Sequence, residues 1–221
     1  MVIDEQAFFQ WYWGNPDPKE KALYERVEEF GPLFEDMTFQ PDTCSYAMIQ
    51  CKSKPIDGGD WVDDVAPIPD ELEFFSYNWF HYKVEELSDC GGYYRHGDQT
   101  LCVPPEALED DKTILHEMIH LHENVINDYP LYYHDSLLWA LYSKLKKKIP
   151  MLDEIITGHA HILTGSSLYR SGGLHDILFL LKSFDLDIRM GYPLGTVFAY
   201  GREDELKKYT YTADSSETES D

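Results

Sequence analysis

The sequence predicts an α+β fold, a small mixed sheet packed on one amphipathic helix, with additional helices N-terminal and C-terminal to that core. Three observations carry this. Between residues 110 and 127, Ile114, Leu115, Met118, Ile119, Val125 and Ile126 recur with helical period. At roughly 100° per residue they form one stripe about 140° wide. Upstream, Tyr93-Tyr94 and Thr100 to Val103 flank His96-Gly97-Asp98, the pattern of a hairpin and its tip. Downstream, Leu137, Leu138, Leu141, Leu145 and Ile149 repeat at helical spacing and predict a second long helix. Of the 221 residues, 43% are hydrophobic and 14% aromatic, enough to build a substantial core. The expectation is a single domain over residues 1–202: N-terminal helices (1–31), a core (71–149) and C-terminal helices (150–202).

Taken in order, residues 4–13 and 18–30 predict two helices separated by Gly14-Asn15-Pro16. The first holds Phe8, Phe9, Trp11, Tyr12 and Trp13, too aromatic to leave in water. Gly31-Pro32 ends the second. Residues 45–51 predict a strand, and 52–69, with Pro55, Gly58-Gly59, Pro67 and Pro69, a loop. Residues 71–85 are aromatic and partly alternating, hence strand-like. Pro104-Pro105 halts the last strand of the hairpin, and Asp110 and Asp111 supply carboxylates for the free amides of the helix that follows. Asn127, Asp128, Tyr129 and Pro130 stop it, and the returning helix is expected to start at His134. Further helices are predicted at 151–163 and 174–184. Residues 203–221 are acidic and rich in Ser and Thr, with almost no large aliphatic residue, and are expected to be a disordered tail.

No apolar run of 18 residues and no charged-then-apolar leader occurs, so neither a membrane span nor a signal peptide is predicted and a cytoplasmic location is expected. The four cysteines form no CxxC pair and are expected as free thiols. A net charge of −23, from 41 acidic against 18 basic residues, repels phosphate backbones and argues against a nucleic-acid partner. The cluster Lys144, Lys146, Lys147, Lys148 sits near a helix end, where the dipole favours cations. A basic or unfolded polypeptide is the electrostatically easier partner.

Chemistry concentrates at His116-Glu117-Met118-Ile119-His120. Imidazoles four positions apart stand one turn apart on a helix, a bite that suits Zn²⁺, and the adjacent carboxylate is placed to take a proton from an activated water. On the helical wheel His116 and His120 lie about 40° apart, away from the apolar stripe. His122 falls on the stripe and reads as a buried core histidine. A catalytic zinc site takes a third protein ligand and leaves a position open for water. His134, at the start of the returning helix, is the first candidate; Glu123, Asp128, Asp135, His159, His161 and His175 are the alternatives. His159 and His161, about 200° apart on a helix, make a poor joint site. Glu123 lies on the histidine face and reads as a surface carboxylate or a partner for an imidazole.

From about Leu72 to Lys146 the chain resembles the SprT-like family of zinc metallopeptidases. The resemblance rests on HEMIH at 116–120, on His134-Asp135-Ser136-Leu137-Leu138 after a short spacer, and on the extended segment from Gly92-Tyr93-Tyr94-Arg95 to Gln99-Thr100-Leu101-Cys102-Val103. It implies a zincin-like fold, His116, His120 and His134 as zinc ligands, Glu117 as catalytic acid/base, and peptide-bond hydrolysis. Asp135 stands where the family usually has Gly and Leu138 where it usually has Phe, and the family's C-terminal cysteine zinc ribbon is missing. Tyr132, Tyr133 and His175 are candidates for stabilising the transition state. A metal-binding interaction or regulatory protein without proteolysis is the alternative function.

Overall fold

Asp17 opens the first described helix, α1 (Pro18–Phe30), its carboxylate accepting from the Lys19 amide at 2.7 Å. Pro18 in the first turn costs nothing there, because its missing N–H would have no partner inside the helix. Leu23, Tyr24, Val27 and Phe30 form the buried stripe of α1. The computed structural model describes residues 17–38, 76–88, 91–127, 131–158, 175–198 and 203–212. The elements expected at 4–13, 45–51 and 52–69 lie outside the described residues. These residues form an α+β structure with six α-helices and a three-stranded mixed sheet. By contacts the chain divides into two units, residues 1–32 with 76–121, and residues 33–75 with 122–221.

In the first unit α1 packs on strand β1 (His81–Val84), where the rings of Tyr24 and Tyr82 meet edge-on at 5.5 Å. The expected hairpin is present as β2 (Tyr93–Arg95) and β3 (Thr100–Val103). Arg95 closes its turn by a two-toothed bridge to Asp98 at 2.7 and 2.6 Å, and Gln99 takes a positive φ of 52°. β3 is central, parallel to β1 and antiparallel to β2, and all four of its residues are buried. Of the strand-like reading of 71–85, residues 81–84 are strand, while 71–75 lie outside the described residues. Tyr77–Trp79 forms a 3₁₀ turn instead, whose Tyr77 carbonyl accepts from the Tyr82 hydroxyl at 2.8 Å. A 3₁₀ turn, Pro105–Glu109, then leads into α2 (Asp111–Asn127), whose residues to Leu121 belong to this unit.

In the second unit, α3 (Leu131–Lys148) begins three residues ahead of the expected start at His134. It buries Leu137, Leu141, Leu145 and Ser136 and packs on α5 (Ile177–Met190). Between them in sequence is α4 (Leu152–Gly158). The lysines near the end of α3 do more than meet its dipole, since Lys144 pairs with Asp185 at 2.6 Å and Lys146 with Asp153 at 2.5 Å. α5 runs six residues past the expected end at Phe184. Asp185 and Asp187, in that added stretch, are buried and partnered rather than solvated. Within residues 203–221, expected to be a disordered tail, Glu203–Leu206 forms a helical turn, α6, with Leu206 buried, and the Thr212 amide reaches the Lys148 carbonyl at 2.9 Å. Residues 213–221 lie outside the described residues. No described helix is long and apolar enough to cross a membrane.

Candidate metal centre

Helix α2 starts as its sequence requires. The Asp110 carboxylate accepts from the Lys112 amide at 3.2 Å and from the Thr113 hydroxyl at 3.1 Å, a cap worth about 1 kcal/mol. One and two turns on, the rings of His116 and His120 face each other edge-on, 5.2 Å between centroids. The wheel leaves them off the apolar stripe, but not in water: residues 114–119 are all buried, with His116 2% and Glu117 1% exposed. Part of that cover is the segment entering β2. A β-carbon built on Gly92 would lie 3.0 Å from both Cγ and Oε1 of Glu117 and 3.2 Å from Cγ2 of Thr113. Glycine therefore lets the backbone pass directly against the Glu117 carboxylate, which any larger residue would crowd.

His175 stands just before α5. Asp176 caps that helix, its carboxylate accepting from the Phe179 amide at 2.9 Å. The His175 ring is half-buried, edge-on to Phe179 at 4.6 Å and tilted against Phe198 at 5.6 Å. Burial pushes its pKa down to about 4, so the imidazole is neutral near pH 7 and keeps a lone pair for a metal. His116, His120 and His175 lie close enough together to hold a metal ion, each offering a ring nitrogen within 4.8 Å of the others. Three imidazole nitrogens are a donor set that suits zinc and the other divalent transition metals.

The third member of this group is His175, not the expected His134. His134 is described in the first turn of α3 and is not a member of the group. His175 was among the alternatives, and what brings it in is the path of the chain into α5, which no local spacing reports. Glu123 turns to another task. Loss of hydration and the neighbouring Asp176 carboxylate push its carboxyl well above the usual range, and it hydrogen-bonds Asp176, the cap beside His175. Asp128, His159 and His161 lie outside the described residues, as do the side chains of Tyr132, Tyr133 and Asp135.

His122 follows its wheel position. It is fully buried and stacked on Phe34 at 4.6 Å with the ring planes 9° apart, and burial, with Lys182 nearby, holds its pKa well below the usual value. Gly92, Phe179 and Phe198 are the residues around the site that sequence reasoning missed. Gly92 carried one signal, a glycine at the mouth of a predicted strand; the two phenylalanines carried none beyond hydrophobicity. No protein-family model, no curated protein and no solved structure matches this chain.

Proposed function

We propose that the protein is a zinc-dependent metallopeptidase with a zincin-like arrangement, and that His116, His120 and His175 hold the metal. The observation that carries this reading is the convergence of three histidines on residues adjoining Glu117 in an H-E-x-x-H helix. When bound, zinc supplies polarisation of the scissile carbonyl and acidification of a water. Glu117 takes the proton of the attacking water and returns it to the leaving amine. Its burial keeps bulk water away from the carboxylate. β2, an outer strand of the sheet that begins beside Gly92, offers its edge to an extended polypeptide substrate. With a net charge of −23, basic or unfolded chains are the favoured substrates and nucleic acid is disfavoured. A cytoplasmic setting fits thiols kept reduced, of which buried Cys102 is one.

The resemblance to SprT-like peptidases supports the roles of His116, Glu117 and His120; the third ligand proposed here departs from it. The test is hydrolysis of an unfolded basic polypeptide by the zinc-loaded chain, read by mass spectrometry. Glu117→Gln should keep zinc and lose turnover, whereas His120→Ala should lose zinc. Full activity in Glu117→Gln would remove the carboxylate from the mechanism. One observation favours a second reading: Glu117 is 1% exposed, withdrawn from solvent as in a metal-binding regulatory protein that cleaves nothing. Stoichiometric zinc without cleavage of any polypeptide offered would select it.

A further inference from the structure

His175 is the member of the histidine group that no helix turn aligns. Its surroundings trace to a buried carboxylate at the far end of α5. Asp187 is 0% exposed and accepts backbone N–H bonds from Gly195 at 2.7 Å and Val197 at 2.9 Å. These bonds fold the chain after α5 back over the helix. Gly191 makes the reversal possible at φ 73°, and the Tyr192 amide returns to the Asp187 carbonyl at 2.7 Å. Gly195, at φ 85°, is pressed against Leu206, so closely that a β-carbon would come within 2.5 Å of the leucine Cβ. The turn is thus held from both sides, and Val197 hands the chain to Phe198. Phe198 is buried, packs on Phe179 at 5.8 Å and forms one wall of the His175 ring.

We infer that Asp187 is a positioning residue for the metal centre: by holding the Gly195–Val197 turn it sets Phe198 against His175 and fixes the orientation of the third ligand. The physical reason is entropic. An imidazole free to sample its rotamers must be ordered at the moment a metal binds, whereas one already packed against two rings loses less. Supporting contacts around metal ligands typically change affinity by about 10–100-fold when removed. Asp187 works here through backbone amides and an aromatic ring instead of a hydrogen bond to the imidazole. This inference rests on His175 being a ligand in the proposed zinc site, and not on peptide hydrolysis.

The experiment measures zinc affinity of the full chain by competition with a chromophoric chelator, together with the ¹H–¹⁵N signals of the His175 ring in metal-free protein. Asp187→Asn and Phe198→Ala should each weaken zinc binding roughly 10–100-fold. They should also shift or broaden the His175 signals, leaving those of His122 in place. Phe198→Leu, which keeps an apolar wall, should recover most of the affinity. A folded Phe198→Ala protein with wild-type affinity and unchanged His175 signals would overturn the inference. If Asp187→Asn does not fold, Phe198→Ala and Phe198→Leu still decide. If wild type takes up no zinc, the metal reading fails on its own, and the ring signals alone decide whether Asp187 orients His175. Zinc uptake without peptide cleavage defeats only the peptidase reading, and the affinity series still decides the inference.

Discussion

Helix α2 and the entry to α5 both present histidine to the candidate metal centre, by opposite means. On α2 the geometry is local: four residues of spacing bring the rings of His116 and His120 to 5.2 Å, and the same periodicity sends His122 into the core against Phe34. At α5 nothing local aligns the ring. His175 precedes the Asp176 cap and is oriented by Phe179 and Phe198, one from the next turn and one from beyond the helix end. A helix can thus place two candidate ligands by itself, while a third has to be delivered and held by packing. The first arrangement depends on α2 staying helical; the second depends on the packing of Phe179 and Phe198.

The sharpest break of this contrast is to remove His175 and His134 separately. His175→Ala should weaken zinc binding beyond the roughly 10–100-fold typical of a lost supporting contact, since a ligand itself is gone. His134→Ala should bind zinc as wild type does. The reverse order, measured by chelator competition, would return the third position to α3.

A smaller change sharpens the α2 side. Gly92→Ala places a methyl 3.0 Å from the Glu117 carboxylate, which must swing away or push β2 outward. Zinc affinity should hold while turnover of an unfolded polypeptide falls roughly 10–100-fold, as misplaced reacting groups do. Unchanged turnover would mean that the carboxylate has room to spare. Glu117→Gln alongside sets the floor for the assay.

The smallest effect contrasts burial of His122 and His175 in the metal-free protein. Both have pKa values depressed by burial, to about 4 for His175 and well below the usual value for His122. Folded, they stay neutral where the unfolded chain already takes up protons. Their contribution is therefore complete above pH about 6.5 and is lost as pH falls below it, for His175 through the window down to about 4. Asp187 runs the other way: burial raises its pKa to about 7, so stability from that group declines as pH rises from about 4 to 7. In denaturant titrations between pH 4 and 6.5, His122→Gln should flatten the acid-side loss by up to about 1.4 kcal/mol per pH unit, one proton's worth. Asp187→Asn should steepen it. Equal slopes in His122→Gln and wild type would place His122 in water.

Much of the architecture could be read without coordinates, for identifiable reasons. The α2 stripe, the hairpin around His96–Gln99 and the buried fate of His122 follow from short-range periodicity and turn chemistry. α5 runs past the expected end at Phe184 through Asp185 and Asp187, two acidic residues that local patterning offers no reason to bury. In the fold one is neutralised by Lys144 and the other is consumed by backbone amides of a turn that returns to it. Polar residues mark an element's end only when water is their partner, and the partner is set elsewhere in the chain. The enclosure of Glu117 was missed for the same reason: a wheel reports which side faces away from the apolar stripe, not what covers that side.

By itself, then, the sequence determined the paired imidazoles and adjacent carboxylate of α2, because helix geometry converts four residues of spacing into one turn of rise whatever surrounds it. It also determined the strongly acidic character of the chain. The third histidine, the closeness of Gly92 to Glu117 and the ring wall around His175 were decided only in the tertiary structure. These depend on where distant segments meet, and that is set by burial of apolar surface and partnering of buried polar groups over the whole chain, not by any window along it.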